Sequence, residues 1–154
     1  MGPRVVLRPL TENDLHAVIP WCDEAQGLVD HLRENASDDT LGPLAITLRQ
    51  DGRPIGVMEY RVAVPEDGWL GFRFVAVEPW LRGLGLDSEA VRLVEDDVLK
   101  RGLARRFWAG VHHNDGLALY FWLRLGYHPA RPDEERWPGE PRHDTIVVMR
   151  VPAV

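Results

Sequence analysis

The sequence predicts an α/β fold: a mixed, largely antiparallel sheet flanked by helices. Three observations carry that expectation. Strand-like runs before position 78 are separated by the turn signals Asp51-Gly52 and Pro65-Glu66-Asp67-Gly68, which join neighbours as antiparallel strands. From Leu86 the apolar residues switch to helical spacing. A further β-run, Arg106 to Val111, follows that helix, and a helical crossover delivers a strand parallel to its predecessor.

Taken in order, Arg4 to Leu10 reads as a first strand, apolar at Val5, Val6 and Leu7 and closed by Pro9. Thr11 suits a helix N-cap, with Asp14 three residues on in a capping-box arrangement. Leu15, Val18, Ile19 and Cys22 recur at helical spacing, and Pro20 kinks or ends that helix. A second helical piece bearing Leu28, Val29 and Leu32 runs into the polar loop Glu34 to Thr40. Leu44 to Gln50 and Pro54 to Val64 flank Asp51-Gly52, and a third strand of this set runs from Trp69 to Val77.

Leu86, Ala90, Leu93, Val94 and Val98 line one side of the next helix. Asp96 with Lys100 and Asp97 with Arg101 are i,i+4 pairs on its wet side, and Gly102 suits the C-terminal cap. After the fifth strand, His112 to Gly116 reads as a loop and Leu117 to Leu125 as a short helix stopped by Gly126. Tyr127 begins another strand, Pro129 to Arg142 is a proline-rich loop, and Thr145 to Val151 is the last strand. No internal repeat, low-complexity tract or linker interrupts residues 1–154, so one domain is expected.

Composition narrows the function classes. Apolar residues at 45% and charged residues at 27% are a globular profile. A net charge of −6 argues against a nucleic-acid surface. Cys22 is the single cysteine, which leaves no disulfide framework and no thiolate metal cluster. No apolar run approaches the ~20 residues of a membrane span, and Arg4 leads into a strand pattern without a signal-peptide core. A soluble cytoplasmic protein without metal is expected.

The informative stretch is Phe74 to Val91. An apolar β-run is stopped by Pro79, which cannot donate into a sheet; Gly83 and Gly85 follow, and then the helix begins. Strand, glycine turn and helix present unpaired backbone N–H groups to an anion, and the helix dipole adds partial positive charge there. Arg82 supplies a fixed cation suited to phosphate. A P-loop would need Gly-Lys-Ser/Thr where this chain has Gly85-Leu86-Asp87, and a dinucleotide fingerprint would need glycine at Ser88.

Val77-Glu-Pro-Trp-Leu-Arg82-Gly83-Leu-Gly85-Leu86 resembles the acetyl-CoA pyrophosphate loop of the GNAT N-acetyltransferase superfamily, Arg/Gln-x-x-Gly-x-Gly/Ala after a strand ending in Val-x-Pro. Arg82 and Gly85 match its first two fixed positions, and Asp87 stands at the third. The run from Asp115 to Tyr127 is similar to the second motif, Asn-x-x-Ala-x-x-Leu-Tyr-x-x-x-Gly-Phe, with Asp115 at the Asn position and Trp122 at the Tyr position. The element order also matches, so the resemblance spans nearly the whole chain. It implies the GNAT acyl-CoA N-acyltransferase fold over residues 1–154 and transfer of acetyl from acetyl-CoA to a primary amine by direct attack.

The resemblance also implies roles. Arg82, Gly83, Leu84, Gly85, Leu86, Asp87 and Ser88 would bind the pyrophosphate, with the Asp87 carboxylate turned to solvent. Backbone groups at Val75 and Val77, whose side chains read as core, would meet the thioester oxygen and pantetheine; such a donor contributes about 3–4 kcal/mol. Asn114 holds a pantetheine amide or serves as a turn residue. Trp122 packs on the CoA arm or in the core; indole cannot protonate the thiolate, and Tyr120 lies about 200° around the helix from it.

A base is needed because presenting a lysine-like amine neutral at pH 7 costs roughly 4–5 kcal/mol. Gly71 falls where some members of the superfamily place a catalytic Glu. Glu59 and His112 are the preferred candidates, ahead of His113, Asp133, Glu134 and Glu135. The partner is then a small-molecule or peptide amine, with no nucleic acid or membrane, and a homodimer is one permitted assembly. A module that binds acyl-CoA as a sensor without transferring acetyl is the alternative.

Overall fold

The computed structural model describes residues 3–18, 43–130, 137–139 and 143–152. Pro20, Cys22, the second helical piece, the loop Glu34 to Thr40 and the acids Asp133, Glu134 and Glu135 lie outside the described residues. The elements run β1 (Val5–Pro9), α1 (Glu12–Val18), β2 (Leu44–Leu48), β3 (Pro54–Val62), β4 (Gly68–Val77), a 3₁₀ turn (Pro79–Leu81), α2 (Leu86–Lys100), β5 (Ala104–His112), α3 (Gly116–Arg124), β6 (His128–Pro129) and β7 (Thr145–Arg150). The strands form a seven-stranded sheet in the order β1-β2-β3-β4-β5-β7-β6, mostly antiparallel, as expected. The chain divides into two compact units, Met1–Tyr60 with Phe74–Val94 and Arg61–Arg73 with Glu95–Val154.

In the first unit, β1 pairs antiparallel with β2, and β2 with β3 around the Asp51-Gly52 turn. The capping box before α1 forms in both directions. The Thr11 hydroxyl accepts from the Asp14 N–H at 3.4 Å, and the Asp14 carboxylate accepts from the Thr11 N–H at 2.8 Å. Arg8 then grips the same carboxylate with two bonds, at 2.7 and 2.8 Å. Those Arg8 bonds, and secondarily the Thr11 donors, hold the Asp14 carboxyl below its ordinary pKa although burial pushes it up. The Asp14 bond in turn raises Arg8.

In the second unit, β4 and β5 run parallel from Gly68↔Ala104 to Phe72↔Ala109, and β7 pairs antiparallel with β5 and β6. Alternate β4 residues face opposite ways. Phe72 packs against Trp122 of α3 at 5.3 Å between ring centroids, and Trp122 also meets Tyr127 at 4.8 Å. The buried Tyr127 hydroxyl donates to Glu95 at 2.6 Å, and Arg150 reaches the other oxygen of that carboxylate at 3.0 Å. Paired on both oxygens, a carboxylate can sit on the apolar side of a helix.

Four local expectations are corrected. His112 ends β5 rather than opening a loop, because it still pairs with Thr145 of β7. The strand expected from Tyr127 starts at His128, since the Tyr127 N–H still donates to the Trp122 carbonyl of the preceding helix at 3.1 Å. Leu93 is half-buried, while Val91 and Glu95 join the buried side of α2. Val77 is buried as expected, but Val75 is half-buried.

Candidate functional site

The glycine loop lies in the first unit. After β4, Pro79 opens the 3₁₀ turn, and Arg82 leaves it in extended conformation with its side chain exposed. Gly83 and Gly85 adopt φ of +85° and +78°, the left-handed region that an L side chain resists. The Gly85 carbonyl accepts from the Glu89 N–H at 3.0 Å, so α2 begins at Leu86. The N–H groups of Leu86, Asp87 and Ser88 therefore precede the helical ladder and point out of its positive end.

Asp87 departs from the expected solvent-facing pose. It is half-buried, and its Oδ1 accepts the Ser88 N–H at 2.9 Å. A carboxylate at the first turn is drawn to free N–H groups and to the dipole. A second cation stands nearby that the sequence reading missed. The N–H groups of Arg4 and Val5 donate to Glu89 Oε2 at 3.0 and 3.1 Å, and Arg4 Nε to Oε1 at 3.4 Å. A Cβ on Gly85 would stand 3.5 Å from Arg4 Nη2, while one on Gly83 would meet nothing within 4 Å.

The second unit holds a cavity of about 550 Å³. Arg61 of β3 and Val64 form one side, Gly71, Phe72 and Arg73 of β4 another; Trp108 and Gly110 of β5, Thr145 and Val147 of β7, and Trp137 complete it. The two indoles meet at 4.8 Å and 53°, making a corner rather than a parallel slot. Trp108 is fixed by its Nε1–H, which donates to the Val64 carbonyl at 2.7 Å. Its ring fills the space beside Gly71, where an added Cβ would lie 2.6 Å from Cε2. Among the described residues no carboxylate lines this cavity. Of these residues, only Gly71 attracted notice from sequence; a lone glycine inside a strand pattern marks close approach of another group.

His112 shares a strand face with Trp108 and Gly110 and pairs with Thr145, a residue of the cavity wall. Its ring stacks on His113 at 4.6 Å. The Asn114 N–H lies 3.2 Å from His112 Nδ1, which accepts it, whereas His113 Nδ1 sits 3.0 Å from the Asp144 carbonyl. A carbonyl has no proton, so His113 donates through Nδ1 and its Nε2 carries the lone pair in the neutral ring; this tautomer follows from the bonding partners. Asn114 is exposed in the turn after β5, and Asp115 caps α3 by accepting from the Ala118 N–H at 3.0 Å.

Glu59, a preferred candidate for the base, is buried on β3 at 1% exposure. It belongs to the first unit and His112 to the second. Trp122 is 6% exposed within its aromatic cluster. Among the described residues no group of three or more His, Cys, Asp or Glu could hold a metal ion, and no helix is long and apolar enough to cross a membrane.

Comparison with known proteins gives a consistent result. The Acetyltransferase (GNAT) family matches residues 9–127. No curated protein matches the chain. Among solved structures, an acetyltransferase from Thermus thermophilus superposes with a TM-score of 0.74 at 17% identity, covering 96% of both chains. Spermidine N-acetyltransferase from Vibrio cholerae, in complex with CoA and spermine, gives 0.71 at 13% identity, covering 96% of this chain and 95% of that one. The ribosomal-protein-S18-alanine N-acetyltransferase from Escherichia coli gives 0.64 at 18% identity, covering 94% and 92%.

Proposed function

The chain belongs to the Acetyltransferase (GNAT) family, and on that premise we propose that it transfers the acetyl group of acetyl-CoA to a primary amine by direct attack. The glycine loop carries the reading. Two residues at positive φ turn the chain into a 15-residue helix whose first N–H groups are free of its ladder, with Arg82 exposed alongside. In this reading Arg82 and the main chain from Gly83 through Asp87 to Ser88 hold the pyrophosphate. Main-chain groups at Val75 and Val77, beyond the last β4–β5 pair at Phe72, receive pantetheine and polarise the thioester carbonyl. Asn114 secures a pantetheine amide, and Trp122 backs that arm through its cluster rather than acting as an acid.

The cavity beside Trp108 takes the acceptor. The base is the stacked His112–His113 pair, with His113 Nε2 as the accepting atom and His112 holding the ring in place; Glu59 is the second candidate. The base removes the amine proton, the C–N bond forms as the C–S bond breaks, and the departing thiolate takes its proton from water.

A calorimetric titration with CoA tests the carrying observation. Wild-type protein binds CoA in preference to ATP, and Gly85→Ala weakens binding about tenfold, equivalent to about 1.4 kcal/mol. Equal binding of ATP, or no effect of the substitution, contradicts the loop's role. One observation favours the sensor reading instead: Asp87 occupies a first-turn N–H. CoA binding without acetyl transfer to any amine would select it.

A further inference from the structure

We propose that the acceptor amine carries a flat aromatic ring on a short alkyl arm, that Trp108 and Trp137 receive the ring, and that Gly110 sets how deeply it enters. This rests on the reading of the cavity as the acceptor site. Selection is assigned to shape and apolar surface rather than to charge, since Arg61 and Arg73 of the same cavity each already have an interaction partner. Trp108 lies over β4 because Gly71 has no side chain: a Cβ there would meet the indole at 2.6 to 2.7 Å. The Trp108 Nε1–H is held by the Val64 carbonyl at 2.7 Å, and Trp137 Nε1 is buried. Both indoles therefore turn carbon and π surface, not a polar edge, to the cavity they line.

The two ring planes stand at 53° with centroids 4.8 Å apart, a corner with two differently directed faces. A third ring seated there stacks offset on one indole and turns its edge to the other, the two arrangements that aromatic pairs favour. A saturated group of the same size gains from apolar burial alone. Gly110 stands two residues beyond Trp108 on the same face of β5, and its missing side chain leaves depth beside the ring. Thr145 limits that depth: a Cβ on Gly110 would lie 3.1 Å from Thr145 Cγ2 and 3.9 Å from Trp108 Cζ3. Indole faces also attract cations, which makes a polycation the competing occupant.

The test uses the full chain saturated with CoA for binding, or with acetyl-CoA for turnover. Phenethylamine is compared with cyclohexylethylamine, its saturated match in size, with isopentylamine and with spermidine as the polycation. Binding is read by calorimetry and transfer by thiol release. Phenethylamine is expected to bind roughly tenfold tighter than isopentylamine or spermidine and roughly threefold tighter than cyclohexylethylamine, with the highest kcat/KM. Trp108→Leu and Trp137→Leu, at unchanged melting temperature, level the preference over cyclohexylethylamine. Trp137 is half-buried and outside the strands, so its variant decides if Trp108→Leu does not fold. Gly110→Ala is made together with Thr145→Ser, which removes the methyl that the new carbon would crowd. Against Thr145→Ser alone, the double variant weakens phenethylamine roughly tenfold and isopentylamine far less. Equal or tighter binding of spermidine or cyclohexylethylamine, no binding of phenethylamine, a preference that survives the leucine variants, or an unchanged phenethylamine affinity in the double variant overturns the proposal. Aryl-selective binding without thiol release upholds the pocket assignment and removes the transferase reading. Transfer to spermidine or isopentylamine alone does the reverse.

Discussion

Gly71 of β4 and the Trp108 indole of β5 occupy one space: the Cβ that glycine lacks would lie 2.6 Å from Cε2 and 2.7 Å from Nε1 of the ring. Gly71 cannot gain a side chain while the indole stays in place. Trp108 is also pinned from the far side through its bond to the Val64 carbonyl, so it cannot swing away without leaving that acceptor unpaired. The absence of a catalytic Glu on this strand and the presence of an aromatic pocket wall are therefore a single structural fact.

Gly71→Ala is expected to destabilise the protein by about 1–3 kcal/mol, the usual penalty for forcing a carbon into filled space. In a Trp108→Ala background the same substitution should cost far less, giving a coupling of about 1 kcal/mol or more in a double-mutant cycle. Urea unfolding of the four proteins measures it, and additive effects would remove the claimed contact.

Asp87→Asn keeps an oxygen for the Ser88 N–H and removes the charge. Two unit charges about 5 Å apart at an effective dielectric of about 20 repel by roughly 3 kcal/mol, and screening reduces this at the surface. CoA affinity should therefore rise about three- to tenfold, read by calorimetry. A change within twofold would mean that Asp87 does not face the phosphates.

Asp14→Asn should cost about 1–2 kcal/mol by weakening the Arg8 and Thr11 bonds, discounted because Arg8 is partly exposed. The sign with pH follows from the lowered folded pKa. The contribution is fully present above the unfolded carboxylate value of about 3.9 and is lost as pH falls through the folded value. The stability gap between wild type and variant should be constant from about pH 5 to 8 and close below about pH 4. A gap that persists in acid would assign it to packing.

His113→Ala should lower kcat by about 10²–10⁴-fold if Nε2 accepts the amine proton. His112→Ala should cost less, because that ring acts by stacking on its neighbour. Glu59→Gln provides the control for the second candidate. Unchanged pH–rate profiles in both histidine variants would exclude the pair.

The architecture was legible because its signals are local. Asp51-Gly52, the Thr11–Asp14 capping box and the glycine loop each depend on residues close in sequence, and each element formed where its pattern stood. The site was less legible because its walls are not local. Arg61, Trp108 and Trp137 meet in one cavity only through strand order and a long connection, and nothing in their own neighbourhoods marks them. Burial was misread for a related reason. Glu95 reads as polar on a helix, yet Tyr127 and Arg150, 32 and 55 residues away, make the core tolerate it. The tautomer of His113 likewise hangs on the Asp144 carbonyl, which only tertiary structure supplies.

The most direct measurement of the central claim follows both products of one reaction: free CoA thiol and the acetylated amine by mass spectrometry, with acetyl-CoA and a panel of primary amines. The account predicts acceptor-dependent thiol release, one thiol for each N-acetylated product, abolished when Gly85→Ala and Arg82→Ala are combined. CoA release without acetylated amine, or saturable CoA binding with no product from any amine, would contradict it.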